Sequence, residues 1–346
     1  MPLIEPGPLR VAPDWWYDVD QVVRDGDEVT QMSLVRPEDV EEIRGVLSSA
    51  FGVPRFESDD YLRWFYTDSP FGEAYSGVTR RHGEAVSHLA GAPRRLRTVD
   101  GTLDLWLIAN VGSVPGARRE GAFLRLCLQA WMMIEGFDQA GIYGVMNDQS
   151  RKALEAFGVV TEAELPTKVL GPTPWKRRRF THHTVTRQLL QSDEFAELIA
   201  DTDLGPRRGV RLWWHADVLR WRLASPLSTY TLHVADDLVA ISTTTNFRGA
   251  TVAVLMKVLV RAGRRAADGL GKAWFTPSMV GELCAHHRTP FALYVGMNSD
   301  VRVFGTLIPQ RYLPSPLHLC FKAVPARVAT SDLRFDCFEL LDFDVL

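Results

Sequence analysis

The residues best suited to binding or catalysis form one short segment, Asn110–Ala122, between an apolar strand and an apolar helix. The predicted strand ends near Val114, and a turn rich in glycine and arginine follows it. Backbone N–H groups at a helix start point outward and carry partial positive charge, so they bind phosphate groups. Gly121 lets a phosphate approach the backbone, and Arg118 and Arg119 can add charge-assisted hydrogen bonds. The segment predicts a pyrophosphate site; an ordinary strand-to-helix turn with solvated arginines is the alternative.

A second polar position follows the next predicted strand, Gly141–Met146. Asn147 or Asp148 is placed to cap a helix that is predicted to run to Phe157.

The two segments together resemble the GNAT superfamily of acyl-CoA N-acyltransferases, whose acyl-CoA loop has the pattern Arg/Gln-x-x-Gly-x-Gly/Ala. Arg118 and Gly121 match the first two signature positions, Pro115 lies suitably upstream, and Phe123 departs from the last position. The resemblance implies that acetyl-CoA, or another acyl-CoA, is the co-substrate. The cofactor-binding residues that it implies are Val111, Gly112, Ser113, Val114, Arg118, Arg119, Glu120, Gly121, Ala122, Asn147 and Ser150.

The resemblance also implies that an acceptor amine attacks the thioester directly, so proton transfer must be provided. The tyrosine that many family members use as general acid aligns with Leu154, which cannot donate a proton. His88, in the middle of a predicted strand, is the predicted base, and Tyr143 on a neighbouring strand is the predicted acid. A hydrogen-bonded sheet histidine and a core tyrosine are the alternatives.

The last residues, Asp342–Leu346, are a further candidate, because some two-domain relatives bring the chain terminus into the active site as a base. The alternation of Phe343 and Val345 with Asp342 and Asp344 instead predicts a terminal strand with the carboxylates outward.

These residues are positioned by a predicted α/β (α+β) fold, a mixed and mostly antiparallel sheet flanked by helices. Apolar periodicity and turn signals predict its first strands and helices in the order strand Val29–Val35, helix Glu38–Phe51, helix Asp59–Tyr66, and strands Ala74–Thr79, Ala85–Ala92 and Leu103–Val114.

An internal repeat predicts a second copy of this unit. The segment Asp60–Trp64 recurs 157 residues later as Asp217–Trp221, and each copy is followed by Ser-Pro and a strand that contains tyrosine. We therefore predict two GNAT-like domains. The predicted boundaries are an N-terminal extension at 1–28, an acyl-CoA-binding domain at 29–164, a connecting segment at 165–208 and a degenerate domain at 209–346.

Composition narrows the possible partners. The chain has 346 residues, a net charge of −3 and four scattered cysteines, so we predict a cytoplasmic protein with reduced thiols and no nucleic-acid or membrane partner. The adjacent pairs His182-His183 and His286-His287 do not predict a metal site, because neighbours on a strand face opposite sides. No signal peptide is expected at Met1–Pro13.

The sequence thus predicts an N-acyltransferase that acts on a small-molecule amine. An aminoacyl-tRNA-dependent transferase of the peptidoglycan-bridge type and a non-catalytic acyl-CoA sensor stay open, and the oligomeric state is not predicted.

Overall fold

The computed structural model describes residues 21–25, 27–120, 126–127, 131, 139–155, 157–173, 180–247, 249–264, 273–309, 312–313, 316–325, 327–329 and 333–343. Below, the first half denotes residues 27–164 and the second half denotes residues 209–343. No helix in these ranges combines the length and apolar character needed to cross a membrane.

Strands dominate the structure. They are β1 (Gln21–Asp25), β2 (Glu28–Leu34), β3 (Tyr75–Arg81), β4 (Glu84–Arg97), β5 (Thr102–Ser113), β6 (Gly141–Met146), β7 (Val160–Glu164), β8 (Thr167–Leu170), β9 (Thr181–Thr184), β10 (Val210–Leu212), β11 (Thr231–Val234), β12 (Leu238–Phe247), β13 (Ala250–Val260), β14 (Ala273–Phe275), β15 (Ala292–Asn298), β16 (Val301–Val303), β17 (Thr306–Leu307), β18 (His318–Ala323) and β19 (Phe335–Glu339).

Seven helices flank the strands. They are α1 (Val40–Phe51), α2 (Asp59–Tyr66), α3 (Asp148–Glu155), α4 (Arg187–Leu190), α5 (Asp193–Leu198), α6 (Ala216–Leu223) and α7 (Pro277–His287) within the described ranges. Local sequence sets several of their ends. Ser58 caps α2 through its hydroxyl, Thr276 caps α7 in the same way, and Gly52 ends α1 in the left-handed conformation.

Both halves repeat one strand arrangement. In the first half, β2 to β5 form an antiparallel meander, and β6 then pairs in parallel with β5 through Leu105–Leu107. In the second half, β11 to β13 are antiparallel, and β15 pairs in parallel with β13 through Ala253–Leu255. This is the mixed, mostly antiparallel sheet flanked by helices that the sequence predicts.

The two halves exchange strands at their ends. β18 of the second half pairs with β6 and β7 of the first, and β10 pairs with β4. The connecting segment contributes β8, which pairs with β15, and β9, which pairs with β11. As a result, seventeen strands of the described chain form one continuous hydrogen-bonded sheet.

The repeated Leu-Arg-Trp motifs meet in the main hydrophobic core. The rings of Trp64 and Trp221 stack with centroids 5.0 Å apart. Each indole N–H donates to the other residue's carbonyl, at 2.8 Å from Trp64 and 3.0 Å from Trp221. The contact joins α2 to α6, and Trp214 is also buried in this core.

The C-terminal segment corrects one prediction. The strand β19 stops at Glu339, and residues Leu340–Asp342 form a 3-10 helix instead of continuing the strand. The Asp342 carboxylate accepts a hydrogen bond from the Glu339 amide at 2.5 Å, which turns the chain. Asp342 is therefore buried and does not face outward.

Candidate functional site

The candidate site is a cavity that opens where two parallel strands separate. β5 and β6 pair only from Leu105 to Leu107, and beyond this point a cavity of about 320 Å³ lies between them. The described residues that line it are Phe51, Arg55, Leu89, Leu107, Ile108, Ala109, Asn110, Val111, Cys127, Trp131, Ile142, Val145, Met146, Asn147, Ser150, Leu154, Phe157, Val159, Leu317, Lys322 and Phe343.

A bulge in β5 shapes one wall of the cavity. The pairing between β4 and β5 shifts register between His88 and Ala90, and Asn110 adopts a left-handed backbone with φ of 49°. A bulge leaves a residue unpaired and bends its strand, and asparagine tolerates the left-handed region better than most residues. The bulge turns β5 away from β6 and so helps to open the cavity.

The bulge is held by a closed ring of hydrogen bonds. The Nδ1 atom of His88 lies 2.8 Å from the Asn110 carbonyl, so this nitrogen carries the hydrogen and donates it. The Tyr66 hydroxyl lies 3.4 Å from the Nε2 atom of His88, and the Asn110 side-chain amide donates to that hydroxyl at 3.2 Å. Burial lowers the pKa of His88 to about 4, although the hydrogen bond to Asn110 opposes the shift. His88 is therefore neutral at pH 7.

The opposite wall begins at the start of α3. The side-chain carbonyl of Asn147 accepts the backbone N–H of Ser150 at 2.9 Å, which confirms Asn147 as the predicted cap of this helix. His318 on β18 contacts Asp148 at 2.8 Å and ties the helix start to the second half. The cap places Asn147, Ser150 and Leu154 along the cavity.

The lining is apolar with a positive charge balance. Its charged members among the described residues are Arg55 and Lys322, and none of the described lining residues is a carboxylate or a histidine. The ammonium group of Lys322 lies 3.6 Å from the ring centroid of Trp131. Burial raises the pKa of Cys127 to about 12, so this thiol stays protonated. The cavity suits a largely apolar ligand that carries negative charge.

The structure brings only some of the predicted site residues to this cavity. Val111, Asn147 and Ser150 line it, and so does Leu154 at the position where the family pattern has tyrosine. Gly112 and Ser113 stay paired with β4, and the Val114 amide donates to the Val86 carbonyl at 2.9 Å. None of these three is among the described residues that line the cavity.

The predicted proton-transfer residues are buried away from the cavity lining. His88 is fully buried beneath the Asn110 bulge. Tyr143 is fully buried against Phe335 and Phe338, its hydroxyl has no hydrogen-bond partner among the described residues, and burial raises its pKa.

The predicted phosphate loop is described only in part. The backbone of Arg118, Arg119 and Glu120 completes the 3-10 helix Pro115–Glu120 directly after β5. The side chains of these three residues, together with Gly121 and Ala122, lie outside the described part of the structure.

Several lining residues were missed by sequence reasoning. Asn110 interrupts an apolar strand, and this signal could have predicted a bulge. Leu317, Lys322 and Phe343 come from the second half, and no local pattern indicates that they reach this cavity.

Comparison with known proteins identifies structures with a similar fold. No protein-family profile and no curated protein matches the sequence. A GCN5-related N-acetyltransferase from Anabaena variabilis is similar in structure, with a TM-score of 0.58 and 14% identity over 85% of this chain and 73% of that one. A GCN5-related N-acetyltransferase from Kribbella flavida has a TM-score of 0.55 and 10% identity over 87% of this chain and 72% of that one.

A third similar structure extends over nearly the whole chain. It is Saccharomyces cerevisiae N-myristoyltransferase with bound myristoyl-CoA, with a TM-score of 0.55 and 10% identity over 99% of this chain and 96% of that one. At these identities the likeness concerns the fold. The chain therefore shares the fold of these GNAT N-acetyltransferases and of the N-myristoyltransferase, which is the fold that the sequence resemblance predicted.

Proposed function

We propose that this protein transfers an acetyl or another small acyl group from acyl-CoA to the amine of a small molecule, by direct attack in a ternary complex. The observation that carries the proposal is the cavity between the separating strands β5 and β6. Its apolar walls and its two cationic side chains suit the pantetheine arm and the phosphates of CoA. The fold, and the myristoyl-CoA bound by one structural neighbour, support the same ligand class.

The proposed ligand contacts divide between two parts of the first half. Val111, Asn147 and Ser150 would contact the pantetheine arm, since they line the cavity. Arg118, Arg119 and the backbone of Gly121 would bind the pyrophosphate, as the family pattern implies. A backbone N–H group of the β5 bulge would polarise the thioester carbonyl.

The lining determines how protons move. The described residues of the lining include no carboxylate, histidine or tyrosine. We therefore propose that the acceptor amine enters in its neutral form, attacks the thioester, and then loses one N–H proton to water. Leu154 offers no proton to the departing thiolate, which would take one from solvent. In this proposal His88 is a positioning residue that holds the Asn110 bulge and does not touch the substrate.

The same observation favours a second candidate, a non-catalytic acyl-CoA sensor. A cavity whose described lining includes no carboxylate, histidine or tyrosine fits a protein that binds acyl-CoA without turning it over. The two candidates share the ligand and differ only in turnover.

Thermal unfolding with a series of CoA thioesters tests the shared premise. A ligand at 100 times its Kd stabilises the folded state by about 2.7 kcal/mol, so the melting temperature should rise with acetyl-CoA. The shift should disappear in the double variant Arg118→Ala/Gly121→Val. It should persist in the control Arg187→Ala/Gly45→Val, whose residues are exposed and are not among the described lining residues.

Release of free CoA in the presence of an amine panel separates the candidates. A thermal shift with CoA release supports the transferase, and a shift without release across the panel supports the sensor. The absence of a shift with any thioester would contradict both.

A further inference from the structure

Four histidines from three separate segments of the sequence converge where β9 of the connecting segment packs against the second half. The β9–β11 register places His182 directly opposite His233, and α7 ends at His286 and His287 above them. The ring centroids of His182 and His233 are 4.9 Å apart, and the His286 ring lies 4.8 Å from His182 and 5.4 Å from His233.

We propose that His182, His233 and His286 bind one divalent transition-metal ion of the Zn²⁺, Ni²⁺ or Cu²⁺ class. Imidazole is a preferred ligand for these ions. With a metal–nitrogen distance of about 2.0–2.1 Å, three imidazoles in tetrahedral positions have ring centroids about 5 Å apart. The three observed centroid distances lie around this value.

The ligand nitrogens of the strand pair are already close to binding positions. The Nδ1 atoms of His182 and His233 are 2.7 Å apart, so one of them donates a hydrogen to the other. Two nitrogens on one tetrahedral ion lie about 3.3–3.4 Å apart, so the pair needs to separate by less than about 1 Å. The His182 and His286 rings are stacked at an interplanar angle of 23°, and the Nε2 atom of His286 lies 3.3 Å from the Thr231 hydroxyl. His286 must therefore turn about its χ2 bond and leave Thr231 before one of its nitrogens can point at the same ion. Both His182 and His286 are exposed, which leaves room for this turn.

A second layer of hydrogen bonds fixes the buried ligand. The Nε2 atom of His233 lies 2.6 Å from the Ser242 hydroxyl, which in turn lies 2.7 Å from the Nε2 atom of His287. When the Nδ1 atom of His233 binds the metal, its Nε2–H donates to Ser242, and Ser242 donates to His287. Partners of this kind orient metal-bound histidines and set their tautomer.

The neighbouring histidine provides a matched control. His183 faces the other side of β9, where its ring nitrogen lies 3.3 Å from Glu194. A substitution there changes the histidine count of the same strand without touching the proposed ligands.

Metal titration of the full chain tests the proposal, with any purification tag removed and the protein first dialysed against a chelator. Calorimetric titration with Zn²⁺ and with Ni²⁺ should show one ion per chain, and Co²⁺ should give the visible absorption of a tetrahedral site. The double variant His182→Ala/His286→Ala should lose stoichiometric binding, whereas His183→Ala should keep it. Ser242→Ala should weaken binding by about 10–100-fold.

Two outcomes would overturn the proposal. One is the absence of stoichiometric binding of all three ions to the wild-type chain. The other is equal affinity in the wild type and in His182→Ala/His286→Ala, both of whose substitutions lie on exposed side chains and should leave the fold intact. Acyl-CoA takes no part in this measurement, so its result is independent of the proposed transferase activity.

Discussion

The hydrogen-bond ring of His88, Tyr66 and Asn110 shows how buried polar groups can shape a cavity without lining it. His88 donates to the Asn110 carbonyl and accepts from Tyr66, so all its polar atoms are satisfied in the neutral form. A protonated imidazole would have to donate from both nitrogens, so the Tyr66 hydroxyl would have to turn and accept from Nε2 instead of donating to it. The hydrogen bonds as they stand thus require neutral His88.

This requirement predicts a pH dependence of stability. Burial lowers the pKa of His88 to about 4, below the value of about 6.5 in the unfolded chain. The unfolded chain therefore binds the proton first, and stability falls as the pH drops from about 6.5 towards 4. Between pH 7.5 and pH 5.0, His88 should cost the folded state about 2 kcal/mol.

Urea unfolding at the two pH values, on the wild type and on His88→Gln, isolates this contribution. The variant keeps a donor for the Asn110 carbonyl but has no titrating ring. On acidification from pH 7.5 to pH 5.0, its free energy of unfolding should fall by about 2 kcal/mol less than that of the wild type. Equal losses in both proteins would show that His88 does not titrate between the folded and unfolded states.

At the scale of elements, the repeated motif explains how the two halves are joined. Trp64 and Trp221 are separated by 157 residues, the same offset as the repeat, and each binds the backbone carbonyl of the other. The guanidinium of Arg94 lies 4.8 Å from the Trp221 ring, and that of Arg222 lies 5.3 Å from the Trp64 ring. The equivalent tryptophans of α2 and α6 thus make reciprocal hydrogen bonds, and an arginine from β4 and one from α6 pack on their rings.

The reciprocal contact predicts strong coupling between the two tryptophans. Trp221→Phe removes the indole donor of the Trp64 carbonyl, which costs about 1–3 kcal/mol. Trp64→Phe should cost less, because the Trp221 carbonyl still accepts the Ala224 amide at 3.1 Å. Because the residues touch, the double variant should deviate from the sum of the single variants by about 0.5–3 kcal/mol. Urea unfolding of the three variants measures this. Trp274→Phe, whose side chain is exposed, should have little effect, and strict additivity would contradict the coupling.

Local sequence patterns predict some of these elements and not others. The strands and helices around Asn110 and Asn147, the cap of α3 and the repeat all follow from short-range periodicity and turn residues. The pairing of β18 with β6 does not, because more than 170 residues separate them and any apolar strand would satisfy the pattern. The histidine cluster was missed for the same reason, since His233 opposite His182 depends on the register of two distant strands.

At the scale of the whole molecule, the two halves differ in what lies beyond the parallel strand pair that each contains. In the first half the space beyond the parallel β5–β6 pair is open. In the second half the corresponding space beyond the β13–β15 pair is filled by Lys257, Glu339 and Asp342, and a cavity of only about 30 Å³ remains beside Lys257. The filled space explains why the second half offers no equivalent cavity among its described residues.

The ammonium group of Lys257 occupies the only acidic cluster of the described residues with metal-like spacing, formed by Cys337, Glu339 and Asp342. Its Nζ atom lies 2.9 Å from both Asp342 oxygens and 3.3 Å from Glu339. Burial lowers the pKa of Lys257, but the attraction of Asp342 and Glu339 outweighs it, so the net shift is upward and the group stays charged.

This ion cluster also places a wall of the cavity in the first half. The segment that carries Asp342 continues to Phe343, which lines the cavity, and Arg222 donates to the Leu341 and Phe343 carbonyls at 3.0 and 3.1 Å. The C-terminal segment is thus fixed by the second half and presented to the first. The candidate site depends on the complete chain and not on the first half alone.

Removal of the Lys257 charge tests this dependence. Lys257→Met leaves Asp342 and Glu339 buried without a compensating charge, which should cost about 3–5 kcal/mol in urea unfolding. The triple variant Lys257→Met/Glu339→Gln/Asp342→Asn, which has no buried charge at this cluster, should regain part of that loss. The control Lys152→Met, on the exposed face of α3, should have almost no effect. Wild-type stability of Lys257→Met would mean that the cluster does not fix the C-terminal segment.

If the cluster does fix it, the folded Lys257→Met protein should also show a smaller thermal shift with acyl-CoA, because Phe343 would no longer be held against the cavity.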